Sequence, residues 1–135
     1  MISPAIRRVL GSITGVVTAM AVILIVENVG HMLAGGPAMP DVNNPDAVAA
    51  YAASLPLGSL LSVLVAWVGG TAAGVVAGSR VAAGRPMLIA SIVGALVLLG
   101  AVMQVLQFPH PTWLVVSSMI GIPMAAFLVA RAMQR

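Results

Sequence analysis

The chain has 135 residues, 61% of them hydrophobic and only 7% charged, and its formal net charge is +3. A soluble domain is typically about 25% charged, so an ordinary water-soluble enzyme or binding domain is excluded and the bilayer is the expected solvent. The absence of cysteine excludes a disulfide scaffold, a thiolate nucleophile and a thiolate metal site.

A hydrocarbon core about 30 Å thick needs about 20 apolar residues per helix. Four stretches meet that requirement, giving an all-α membrane protein: four transmembrane helices in a compact antiparallel bundle, one domain over 1–135. The first span is expected at about 9–28. "MISPAIRR" before an apolar run imitates a secretory signal, but the run is longer than a signal core and "MLAGGPAMP" is a poor cleavage site, so a retained helix is expected. A longer connection follows. Within it, Asn44-Pro45-Asp46 reads as a helix start, with Asn44 as cap, Pro45 at the first helical position and Asp46 near the positive end of the dipole. A short interfacial helix over about 45–54 is therefore expected, before Leu55-Pro56 redirects the chain into a second span at about 57–79. The third span is expected at about 86–107. In "FPHPTW", His110 stands between two prolines, which forbids helix locally and makes a stiff turn into a fourth span at about 112–131. Tyr51 and Trp113 are expected at the interface and Trp67 deeper. Pro123 should kink the last span or free a carbonyl near Ser117 and Ser118, with room for a small cavity.

Charge fixes the orientation. Six arginines stand in three pairs: Arg7 with Arg8, Arg80 with Arg85, and Arg131 with Arg135. In a four-span protein these lie on one side, which the positive-inside rule makes cytoplasmic, with both termini there. Glu27, Asp41, Asp46, His31 and His110 all fall on the opposite, outer side. The basic pI thus follows from topology; it favours contact with anionic membrane lipids and gives no case for a nucleic-acid partner. Gly70, Gly74 and Gly78 recur every fourth residue and Gly11 with Gly15 repeats the interval, a pattern that lets helix backbones approach closely. Packing within the chain is the expected use of these glycines, and a homo-oligomer or a larger membrane partner the alternative.

The polar residues gather at one depth. Glu27 lies nineteen residues beyond Arg8 and Gln104 nineteen beyond Arg85, so both reach roughly 28 Å from the basic anchors at 1.5 Å per residue. His31 and Gln107 come a turn further out, and His110, Asn28, Asp41, Asn43 and Asn44 can approach from the loops. Glu27, His31, Gln104 and His110 are accordingly the candidate ligand-binding residues. Glu27 and His31 at i and i+4 share a helix face, a spacing that suits two metal ligands with His110 as a third. Two histidines and one carboxylate at a wet boundary are nevertheless a weak metal signal. The simpler expectation is a structural network in which Glu27 pairs with His31 and takes donors from Gln104 or the loop. "DVNNPD" fails as a calcium loop because Pro45 takes a ligand position and no glutamate follows at the required distance. No phosphate-binding, dinucleotide or zinc-protease motif is present, and no nucleophile elbow. No metal, cofactor or catalytic residue is assigned, and enzymatic activity is not expected.

Taken in order, "ENVGH", "NNPDAVAAYAASLPLG", "AWVGGTAAGVVAGSR" and "FPHPTW" with a short basic tail resemble a group of small uncharacterised bacterial four-helix membrane proteins. The resemblance covers nearly the whole chain. It implies a multi-pass bundle in the bacterial inner membrane, with recurring polar positions at Glu27, His31, Pro109, His110 and Trp113, and it implies no reaction. Three functions are consistent with these residues. The first is an accessory or structural bundle that interacts with lipid or a partner. The second is a small oligomeric transporter or channel with Glu27 and His31 as a proton or cation site. The third is a membrane-embedded binder or enzyme for a lipophilic small molecule, with a pocket between Glu27, Gln104, Ser117 and His110.

Overall fold

The computed structural model describes residues 1–135. Helix α1 spans Pro4–Ala34. Ser3 starts it: its hydroxyl accepts from the Ile6 N–H at 3.3 Å, and Pro4 occupies the first position, where no amide donor is needed. Its end is equally well defined. Gly35 turns left-handed at φ 67°, its N–H donates to the Met32 carbonyl, and the Gly36 N–H reaches back to the His31 carbonyl at 3.1 Å. This pair of bonds is a Schellman closure, which the missing side chain of Gly35 makes possible. The helix therefore extends past the expected 9–28 at both ends, to about 46 Å. Glu27 does not terminate it. That residue lies seven positions before Ala34, about 10 Å inside the helix end.

Helix α2 spans Pro45–Ser54, and the Asn44 side chain accepts from the amides of Asp46 and Ala47. Helices α3 (Leu57–Val81), α4 (Pro86–Gln107) and α5 (Thr112–Ala132) complete the chain. Ala83 and Gly84 take positive φ in the tight turn between α3 and α4. Helix α5 is unbroken through Pro123; the proline lines a groove of about 310 Å³ between α4 and α5. The Ser118 hydroxyl bonds to the Leu114 carbonyl inside the same helix. Helices α1, α3, α4 and α5 are each long and apolar enough to cross a membrane, and the chain is a multi-pass helical membrane protein.

Four long helices pack in a rhombus. Helix α3 touches α1, α4 and α5, while α4 also meets α1 and α5; the backbones of α1 and α5, at the far corners, do not approach one another. The closest pair, α1 and α3, is antiparallel. Gly11 faces Gly78 and Ala82, Gly15 faces Gly74, and Gly70 faces Ala19 and Ile23. A Cβ on Gly74 would stand 2.5 Å from the Gly15 carbonyl oxygen, and one on Gly78 would stand 2.5 Å from the Gly11 carbonyl oxygen. The glycine stripe is thus occupied within the chain. Any homo-oligomer must use another face. Val75, Ile89, Val93 and Ile122 fill the centre, while Val9, Ile13, Val17, Met20 and Leu24 of α1 are turned outward. Small residues between helices and large apolar ones outside is the arrangement that suits a lipid solvent.

The fold places the six arginines at one end, where the Arg7 Nε donates to the Val81 carbonyl across the α1/α3 pair. The other end, here the capped end, holds the loop after α1, helix α2 and the turn containing His110.

Candidate functional site

Side-chain direction brings the first two residues of the site together. Every Cβ of a helix leans toward that helix's N-terminus. Helix α1 runs toward the capped end, so Glu27 leans back into the bundle; α3 runs the opposite way, so Trp67 leans outward toward the cap. Glu27 is about one turn nearer the capped end than Trp67, and the opposed leanings close that gap. The Trp67 Nε1–H donates to Glu27 Oε1 at 2.7 Å. Trp67 is 2% exposed, whereas Glu27 is half-buried. A buried indole N–H requires an acceptor, and a carboxylate is a strong one.

Glu27 opens onto a cavity of about 620 Å³ between the helix ends and α2. His31, Gln104 and His110 line the same cavity, so the structure gathers all four sequence-selected residues around one space. The connections among them differ from those expected. His31 does not pair with Glu27. Its Nε2 lies 2.9 Å from the Pro37 carbonyl, and its ring occupies the space a side chain on Gly36 would take. The Gly35-Gly36-Pro37 turn folds over the imidazole, which pins the loop to the helix. Gln104 faces the cavity without donating to Glu27. His110 turns its Nδ1 to the Phe108 carbonyl at 2.6 Å and sets its ring 6.2 Å from that of Trp67. Since a carbonyl only accepts, both histidines carry a hydrogen on the bonded nitrogen, leaving His31 Nδ1 and His110 Nε2 as the free ring atoms.

The loop polar residues serve α2 instead of the cavity. Asp41 Oδ1 accepts from the Asn43 amide, and Asn44 caps the helix. Asn28 donates to the Leu24 carbonyl of its own helix at 2.7 Å. Gln107 is exposed and Ser117 does not line the cavity; with Ser118 bonded in the helix interior, a serine nucleophile with His110 and Glu27 does not assemble. Glu27, His31 and His110 likewise do not converge into a metal-ligating group.

Two contributors were not marked out by sequence. Trp67 supplies the partner of Glu27; the available signal was an indole deep in a span, whose N–H needs an acceptor where the spans offer one carboxylate. Tyr51 forms the roof, with its ring 6.4 Å from His31 and 6.5 Å from Phe108. Helix α2 makes no close backbone approach to the long helices, so such side-chain contacts hold it in place. Burial pushes the Tyr51 hydroxyl above its ordinary range, further from ionising. Ser59, 3% exposed, lines the cavity with a buried hydroxyl that has no hydrogen-bond partner. No protein-family model, curated protein or solved structure matches this chain.

Proposed function

We propose that this protein is a lipid-interacting four-helix membrane protein that holds an amphipathic small molecule at its capped end. The carrying observation is the cavity itself. Its volume of about 620 Å³ falls within the roughly 300–1,000 Å³ of small-molecule sites. It combines apolar walls with a few polar groups, among them the Glu27 carboxylate, Gln104 and the two imidazoles. A binding role is favoured over catalysis because the chemical groups surround a space without forming a nucleophile–base pair. Acyl chains of the bilayer cover the outward faces of α1 and α5 in this reading.

The ligand is tested by mass spectrometry of organic extracts from the purified protein. A lipid or lipophilic metabolite should copurify with the wild type. Ala52→Trp, which builds bulk into the cavity from α2 without touching the four-helix packing, should lose it. Equal recovery from both proteins counts against the cavity as the binding place.

In the same reading the protein resides in a bacterial inner membrane with both termini cytoplasmic, as the arginine segregation favours. The cysteine-free sequence makes this directly measurable. In intact cells stripped of their outer membrane, Asn43→Cys should react with a membrane-impermeant maleimide. Ser3→Cys should react only after lysis, and the reverse pattern would invert the orientation.

A further inference from the structure

We infer that the polar end of the ligand is an organic ammonium group, seated against Glu27 and the Tyr51–Phe108 corner. This rests on the cavity being a ligand site. Formal charge is the first support. The chain has no lysine, its six arginines lie at the far end, and the cavity's one formal anion is Glu27. The Trp67 N–H engages Oε1 but is neutral, so it leaves the carboxylate's charge uncompensated. His31 is directed to the Pro37 carbonyl and His110 to that of Phe108, so neither closes on Glu27. An anionic headgroup would meet this carboxylate with no lysine or arginine in the cavity wall to offset it. A half-buried carboxylate beside aliphatic and aromatic walls is best satisfied by a cation that is itself weakly hydrated.

The walls supply the second support. Tyr51 and Phe108 both line the cavity and meet at 63°, forming a corner instead of a closed stack. Aromatic faces attract ammonium groups through the ring quadrupole, most strongly where water is excluded. An inorganic cation fits less well, because no group of three ligating side chains is present.

The test uses the full-length protein in neutral maltoside micelles. A W113F background leaves Trp67 as the reporter, since the chain has two tryptophans. Dodecyltrimethylammonium, dodecanol and dodecanoate are titrated separately, and Trp67 emission is followed. The expected result is a saturable response to the ammonium compound that weakens about tenfold or more in Glu27→Gln and in Tyr51→Ala. Glutamine retains a carbonyl for the Trp67 N–H, and a melting temperature well above that of the titration shows that the fold is retained. Dodecanol or dodecanoate binding as tightly as the ammonium compound, or an ammonium affinity unchanged in Glu27→Gln, overturns the ammonium assignment while leaving a ligand site in place. No saturable response to any of the three overturns the ligand site as well.

Discussion

Gly74→Leu is expected to unfold the α1/α3 pair. A Cβ at residue 74 would meet the Gly15 carbonyl oxygen at 2.5 Å, the Ala19 Cβ at 2.8 Å and a Val93 methyl at 3.1 Å. Two of those atoms belong to α1, one of them to its backbone, so no rotamer change relieves the clash and the helices must separate. Overpacking a core generally costs about 1–3 kcal/mol; displacing a whole helix interface places this variant at or above the upper end. Thermal or denaturant unfolding of purified protein, followed by circular dichroism, measures the loss. Gly69→Leu is the matched control, five residues earlier in the same helix with open space where its side chain would go. It should melt close to wild type. Equal melting of the two variants would mean that the close approach of backbones does not hold the bundle.

The fold is legible in sequence to the extent that it follows from hydropathy and caps. Four apolar stretches and the Asn44-Pro45-Asp46 start specify four long helices and one short one, because a helix in lipid must satisfy its backbone internally. Helix α1 is where this reading stops short. Apolar content marks where hydrocarbon ends, whereas helix ends are set by local hydrogen bonding. Ser3-Pro4 at the start and Gly35-Gly36 at the end carried that information, and the polar residues Asn28 and His31 between them do not break a helix.

Glu27→Ala is expected to be the most damaging change at the site. It leaves the buried Trp67 N–H without an acceptor, at a cost of about 1–3 kcal/mol. Glu27→Gln should cost less, since its amide oxygen can still accept. Trp67→Phe removes the donor and a large part of a 2%-exposed side chain at once, so its destabilisation mixes packing with hydrogen bonding. A double-mutant cycle of Glu27→Ala with Trp67→Phe separates the two, and a coupling of about 1.5–3 kcal/mol is expected for a bond to a charged group. Additive effects would show that the bond contributes nothing to stability. The site was legible as a set of residues, because Glu27, His31, Gln104 and His110 are the polar groups at one depth. Its wiring was not. Spacing of four on α1 suggests that Glu27 and His31 face each other, but the opposed leanings of antiparallel helices bring Glu27 to Trp67, and the turn after Gly35 offers His31 a nearer carbonyl.

The rhombic helix order has a consequence for biogenesis. Helix α3 finds its most extensive partner, α1, already synthesised, and the pair closes through neighbouring segments of chain before α4 exists. Helix α4 then docks onto both, and α5 arrives last onto α3 and α4, its backbone away from that of the first helix. No helix has to wait for a later one to receive its first neighbour except α1. Domains emerging from the ribosome fold from the N-terminus onward, and pairings between near segments form faster than distant ones. Translation order and packing order therefore coincide, and a chain arrested after α3 should already hold its glycine-lined hairpin.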